Sequence, residues 1–318
     1  MLKMKESKIG KAHGKIILMG EHAVVYGEPS IALPFPAVEM LATVRENEGP
    51  LRIDCSYYHG IADEMPEILQ SLKKAIKVAL DSLDKPYENL SISIESAIPP
   101  ERGMGSSAAV AVAVTRAIYQ YYQTELSHEK LLELVSIAER IAHGNPSGLD
   151  AITTSGSSPV YYRKGHDFVP FDLQMDAYLV VGDTGVTGQT KEAVQSIADR
   201  IQQEDQPISL NKIHTLGSLA DHARTFLEKN DAVSLGKTMD HAHQLLVELG
   251  VSNKELDTLV KAAKKAGALG AKLTGGGRGG CMIALVANEA DTFALQKTLR
   301  EAGAVATWVT SLKKEESR

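Results

Sequence analysis

Lys15, Glu21 and His22 fall within eight residues of one another in GKIILMGEHAVVYGE, a turn-rich hairpin. An ammonium group on a strand can act as a point-charge clamp on phosphates. Taken singly, Lys15 also fits a surface lysine and His22 a satisfied polar residue. A second group sets Gly103, Met104, Gly105, Ser106, Ser107 and Ala108 ahead of a run of small apolar residues. Glycines let a backbone approach a phosphate and turn successive N–H groups inward. A helix starting there adds its unsatisfied N–H groups and its positive dipole end. The serine hydroxyls can bind phosphate oxygens or a metal ion, and the plain alternative is a glycine turn with Ser106 as N-cap.

Two carboxylates stand in comparable settings. Glu139 lies beside the apolar stripe Leu131, Val135, Ala138 and Ala142 of a predicted helix. At the edge of a buried face it needs a cation. Arg140 or Arg116 would serve, and so would Mg²⁺, with Ser106 as a second ligand and nucleotide phosphates completing the shell. Asp150 follows Asn145-Pro146 and Ser147-Gly148, a rigid turn. A carboxylate held that way can orient a hydroxyl or accept its proton, or can simply cap a helix. The stretch LTGGGRGGC carries five glycines in the six positions 275–280, more than a hairpin needs. Such density suggests close backbone approach to a ligand or to the first glycine loop.

Several classes are excluded or weakened. The string Gly103 to Ala108 satisfies G-x-G-x-x-G/A, but Pro99, Pro100, Glu101 and Arg102 stand where a dinucleotide fold runs a strand straight into the first glycine. An NAD-dependent oxidoreductase is therefore the rival of a different class, argued from this loop alone. There is no Walker P-loop. The formal net charge of -6 leaves no basic footprint for nucleic acid, so an anion must be held by local groups. Two cysteines, Cys55 and Cys281, form no disulfide framework, and no apolar run reaches a membrane-spanning length. A cytoplasmic location is expected.

At 318 residues the chain is comfortable for two domains. Strands are predicted at 14–18, 23–26, 31–35, 38–45, 51–57, 90–96, 177–184 and 306–311, with another after the glycine run. Helices are predicted at 66–83, from the first glycine loop to about Tyr122, and at 128–143, 189–203, 210–228, 231–249, 253–266 and 289–301. Ser252 with Glu255 makes a capping-box pattern, and the tail KKEESR is read as solvated. The mixture lacks strict βαβ alternation, so an α+β class fits better than a doubly wound sheet. A boundary is expected near 165–175.

Together, and in this order, these segments resemble the motifs of the GHMP small-molecule kinases. GKIILMGEHAVVYGEPSIALP resembles the first motif, PPERGMGSSAAVA the phosphate-binding second and KLTGGGRGGCMIAL the third. ERIAHGNPSGLDA resembles the segment carrying the catalytic aspartate, and it and the first motif are most similar to the branch that phosphorylates mevalonate. His13 stands where many members have Pro, and Met104 where many have Leu. The resemblance implies a ribosomal S5 domain 2-like, ATP-binding domain over 1–170 and a ferredoxin-like domain over 171–318, with the active site between them. It implies transfer of a phosphoryl group from ATP to the 5-hydroxyl of (R)-mevalonate, with Asp150 as catalytic carboxylate and Lys15 beside the phosphates and the attacking hydroxyl. Gly103, Met104, Gly105, Ser106, Ser107 and Ala108 would hold the ATP phosphates, and Ser106 and Glu139 the Mg²⁺. Glu21, His22, Thr184, Thr190, Gly275 and Gly276 would face mevalonate. Another acceptor within the family, such as phosphomevalonate, is the nearer rival, and a homodimer is compatible with the resemblance.

Overall fold

The computed structural model describes residues 6–143, 147–202 and 206–313. The Asn145-Pro146 turn, the tail from Lys314 and the side chain of Ala142 lie outside the described residues. The chain divides into two compact units that interleave in sequence. One comprises Met1–Lys15, Val38–Pro99 and Gly105–Gly156; the other comprises Ile16–Ala37, Pro100–Met104 and Ser157–Arg318. Two long strands, β1 (Lys8–Met19) and β2 (Pro29–Pro50), each start in one unit and finish in the other.

The first unit adds β3 (Arg52–Cys55), β4 (Tyr58–Ile61), α1 (Gln70–Asp81), β5 (Glu88–Ser96), α2 (Ser106–Tyr121), α3 (His128–His143) and α4 (Leu149–Ser155). β5 lies antiparallel to the later part of β2, Ala42 opposite Ile94, and parallel to β3, Ile53 opposite Ile92. β4 completes the edge antiparallel to β3. The alternation in LSISIES turns Leu90, Ile92 and Ile94 inward. α2 is buried almost all round, which its run of alanines and valines dictates. Small side chains also let a strand come close. A Cβ on Gly10 of β1 would overlap the carbonyl oxygen of Ala113 and the nitrogen of Ala117.

The second unit begins with β6 (Val160–Arg163), which pairs with the first residues of β2, Ile31 opposite Tyr161, and with β7 (Val169–Pro170). Then follow β8 (Tyr178–Asp183), α5 (Thr190–Gln202), α6 (Gln206–Glu228), α7 (Ala232–Glu248), α8 (Lys254–Lys265), β9 (Gly270–Thr274), β10 (Cys281–Val286), α9 (Glu289–Glu301) and β11 (Ala306–Ser311). The sheet order is β11-β8-β10-β9 and every neighbouring pair is antiparallel. With helices after β8 and between β10 and β11, this is the split βαββαβ arrangement of a ferredoxin-like domain. No helix among the described residues is long and apolar enough to cross a membrane.

Four local expectations are corrected. Residues 23–26 form a 3-10 turn rather than a strand, because Gly20 and Gly27 close the segment too tightly for extended backbone. The segments 31–35 and 38–45 join in β2; Pro34 and Pro36, which cannot donate to a ladder, fall between its pairing to β6 at Pro29–Ala32 and to β5 from Met40 onward. The helix expected from Pro66 starts at Gln70 after a 3-10 turn, and Ile68 of its supposed stripe is 79% exposed. The cap of α8 is Asn253, whose side chain accepts from Leu256 N at 3.0 Å, while Ser252 donates to Asp257. Asn caps as well as Ser does, so spacing alone cannot choose between adjacent candidates.

Gly10→Ala should lower the unfolding free energy by about 1–3 kcal/mol, the usual cost of overpacking. It would be read as a lower urea midpoint at unchanged slope. An unchanged midpoint would mean that β1 and α2 do not meet there.

Candidate active site

In the first unit the glycine loop ends at Gly105, which takes a left-handed conformation (φ 75°) and caps α2. Ser106 therefore opens the helix rather than capping it. The N–H groups of the first turn, at Ser106, Ser107 and Ala108, have no partner within the helix, and a helix end of this kind can bind an anion. A Cβ at Gly105 would sit 2.9 Å from Lys15 Cγ and 3.1 Å from Thr154 Cγ2, so the bare glycine is what lets the Lys15 side chain pass.

The Lys15 Nζ lies 3.1 Å from Asp150 Oδ1, with the two side chains 7% and 37% exposed. Asp150 stands in the first turn of α4, which is capped by Gly148 in a left-handed conformation. Its carboxylate is thus not spent on capping. The backbone under both residues is clamped by cationic and polar side chains. Arg116 donates to Lys11 O at 2.6 Å and to Ser155 O at 2.7 Å, joining the strand before Lys15 to the end of α4. A ring nitrogen of His13, Nε2, meets Gly156 O at 2.7 Å. Glu139, 4% exposed, accepts a hydrogen bond of 2.7 Å from Ser107 Oγ. Ser107 is the neighbour of Ser106, the serine expected to share a metal ion with Glu139. The donors at hand are hydroxyl and carboxylate oxygens. They suit a hard divalent cation that keeps waters and takes one or two protein ligands beside phosphate oxygens. Among the described residues no group of three His, Cys, Asp or Glu side chains could cage a metal ion without such outside ligands.

The second unit gathers the other predicted residues. Gly103, at φ 75°, packs bare against Gly275, where an added Cβ would lie 3.2 Å from the Gly275 Cα. The two glycine loops therefore support each other, as the density of glycines suggests. Arg102 fixes the same loop. It donates to Asp183 Oδ1 at 3.0 Å, to Gly185 O at 2.9 Å and to Thr187 Oγ1 at 3.2 Å. Thr184 donates to Gly280 O at 2.7 Å and accepts from Val186 N, so its hydroxyl proton serves the loop. Thr190 opens α5 and lies against Gly276 so closely that a Cβ there would collide with it. Thr274 Oγ1 both donates to Ile17 O at 2.8 Å and accepts from Ile17 N at 3.1 Å, tying the strand ahead of the Glu21 turn to β9.

Glu21 pairs with Lys272 of β9, both fully buried. Burial pulls the Lys272 ammonium below the ordinary lysine range, and the Glu21 carboxylate opposes that shift. His22 has φ 60° and ψ −38°, a sparsely populated backbone conformation for a residue with a side chain. Its Nε2 lies 3.0 Å from Gly276 O. Burial lowers the His22 pKa to about 4; the Gly276 carbonyl opposes this, and the Arg278 and Lys272 charges add to it. The ring is therefore neutral near pH 7, with Nε2 donating to the carbonyl and Nδ1 left as a lone-pair acceptor.

Sequence reasoning missed Lys272, Arg102 and Thr274, and it named Arg116 only as a candidate partner for Glu139, not for Lys11 O and Ser155 O. Lys272 carried a visible signal: a lysine in the middle of the apolar strand GAKLT has to find a buried anion. Arg102 and Arg116 act on backbone carbonyls far away in sequence, and nothing in their local context marks that.

The first unit offers N–H groups at a helix N-terminus, oxygen ligands for a divalent cation and a carboxylate beside an ammonium; the second offers a neutral imidazole acceptor. The family model of the GHMP kinases N terminal domain matches residues 70–157, and that of the GHMP kinases C terminal region matches residues 223–305. A mevalonate kinase from Pyrococcus horikoshii is 37% identical over 302 residues, covering 87% of this chain and 88% of that protein. A solved L. major mevalonate kinase in complex with R-mevalonate superposes with a TM-score of 0.84 at 29% identity, covering 98% of this chain and 97% of that one. The mevalonate kinase of methicillin-resistant Staphylococcus aureus gives 0.73 at 34% identity, covering 97% and 99%. With both family models met in order and relatives this similar along nearly its whole length, the chain belongs to the GHMP kinases and has their two-domain fold.

Proposed function

We propose that this kinase transfers the γ-phosphoryl group of ATP to the 5-hydroxyl of (R)-mevalonate, giving 5-phosphomevalonate and ADP. The observation that carries the reading is the Lys15–Asp150 pair, 3.1 Å apart, with Gly105 at the N-terminus of α2 packed against the Lys15 side chain. The similarity to mevalonate kinases over 87% of the chain supports mevalonate as the acceptor. In chain order, residues 1–170 would carry the ATP-binding part and 171–318 the C-terminal part. Both cysteines are free and buried, which suits a cytoplasmic enzyme.

Phosphoryl transfer asks the protein for positioning and charge balance rather than covalent chemistry. Gly103, Met104 and Gly105 let the backbone approach the phosphates, and the N–H groups of Ser106, Ser107 and Ala108 stabilise negative charge on their oxygens. Asp150 accepts the proton of the attacking hydroxyl. Lys15 places a positive charge beside that hydroxyl and favours its ionised form. Kinases of this family use ATP with a divalent metal. Here Ser106 and Glu139 would hold Mg²⁺, with Ser107 orienting the Glu139 carboxylate, and the ion would neutralise charge on the transferring phosphoryl group. His22 would accept from a substrate hydroxyl, with Glu21, Thr184, Thr190, Gly275 and Gly276 shaping the acceptor side.

A coupled ADP assay with mevalonate, phosphomevalonate, galactose and homoserine, each with Mg-ATP, tests the acceptor. Turnover should be confined to mevalonate, and a preference for any other acceptor would overturn the reading. Asp150→Asn should cut kcat by ~10²–10⁴-fold, the scale of general-base help, while ATP binding measured by calorimetry survives. Near-normal turnover would remove Asp150 from the proton transfer. Glu139→Gln should raise the Mg²⁺ concentration needed for half-maximal activity, and Ser107→Ala should raise it less. Unchanged metal titrations in both would place the ion elsewhere.

A further inference from the structure

We infer that Lys272 is a positioning residue for the acceptor substrate: through its buried pair with Glu21 it holds His22 in a strained turn that presents the Nδ1 lone pair to a hydroxyl donor. This role presupposes that His22 meets the acceptor, as proposed above.

β9 is buried along its whole length, so its central lysine has no route to water. Lys272 Nζ donates to the Glu21 carboxylate and to Leu273 O at 2.7 Å. Its side chain is 0% exposed and that of Glu21 1%. A buried ion pair adds little net stability, because desolvating both charges offsets their attraction, and apolar residues of similar volume often do as well. The pair is better understood by what it fixes in space. Glu21 directly precedes His22, whose φ of 60° places it outside the regions that residues with a Cβ adopt readily. Such a conformation persists only where the surroundings over-determine it. Here the carboxylate anchored on a rigid strand holds one side, and the Nε2 hydrogen bond to Gly276 O at 3.0 Å holds the other.

What this grip delivers is one atom. Gly276 O can only accept, so Nε2 carries the proton and Nδ1 is an acceptor. His22 is 5% exposed, and its Nδ1 is buried with no hydrogen-bond partner. A buried acceptor in that state calls for a donor, and a hydroxyl of the acceptor substrate supplies one. With a pKa of about 4, the ring keeps that lone pair throughout the neutral range.

Steady-state kinetics on Lys272→Met, Lys272→Arg and the double variant Glu21→Gln/Lys272→Met, with thermal midpoints for each, test the role. Lys272→Met should raise KM for mevalonate about tenfold or more, the size expected when a strained turn relaxes, with KM for ATP unchanged. Lys272→Arg, which keeps the charge, should restore part of the loss. The double variant leaves no charge at this buried pair, so it should recover the thermal midpoint but not the KM. A folded Lys272→Met or double variant with the wild-type KM for mevalonate would overturn the inference, and the double variant decides if Lys272→Met does not fold. An independent readout is the ¹⁵N spectrum of His22 in the ligand-free protein. It should show a single Nδ1-unprotonated tautomer in the wild type and tautomer exchange in the double variant; identical spectra would sink the idea. If the wild-type protein fails to phosphorylate mevalonate, the proposed function falls, while the spectra still test the Lys272 grip on His22.

Discussion

An ammonium group 7% exposed must have an anion beside it, and Lys15 has Asp150. Much of the first unit can be understood as the means of keeping those two groups 3.1 Å apart. The strand that bears Lys15 is pinned to α2 through the bare face of Gly10. The helix that bears Asp150 is pinned to the same strand by Arg116, whose guanidinium spans Lys11 O and Ser155 O. Because Arg116 itself rides on α2, one cation coordinates three elements. The same helix offers its N-terminal N–H groups at the other end. An anion bound there would meet the Lys15 side chain as it passes Gly105.

The second unit solves a different problem with similar means. Its loops are glycine-rich, yet they are tied down by side chains acting on backbone. Arg102 grips β8 and the turn that follows it, Thr184 grips Gly280, and Thr274 grips Ile17 on both its N–H and its carbonyl. Glycine here serves close approach rather than mobility. Gly103 and Gly275 lie against each other where any side chain would force them apart. A loop fixed in this way loses little further entropy when a ligand arrives, which favours binding.

Much of this was legible in the residues. The sequence located α3, α9 and β11 to the residue. The glycine loop and the run of alanines after it marked where α2 begins, since a turn followed by small apolar residues suits a buried helix. Boundaries failed where two local solutions are nearly equal in energy. Ser252 and Asn253 both cap well, and AVVY between two glycines can extend or coil. Contacts that depend on distant partners were not legible. Nothing near Ser106 and Ser107 says which hydroxyl reaches Glu139, since that is settled by the rotation of α2 against α3. The interleaving of the units was hidden for the same reason, because a strand gives no sign of changing partners partway along.

That interleaving bears on how the chain matures as it is synthesised. The last segment of the first unit ends at Gly156, so its core is complete once the nascent chain has emerged that far. The stretch Ile16–Ala37 belongs to the second unit, which is not finished until β11. Ile16, Leu18, Met19, Ile31, Leu33 and Phe35, all buried in the finished protein, must therefore wait uncovered while roughly the whole latter half of the chain is made. A polypeptide laid out in this order leaves apolar surface open to misassembly during translation, and cutting the gene between its two conventional halves would strand those residues on the wrong fragment.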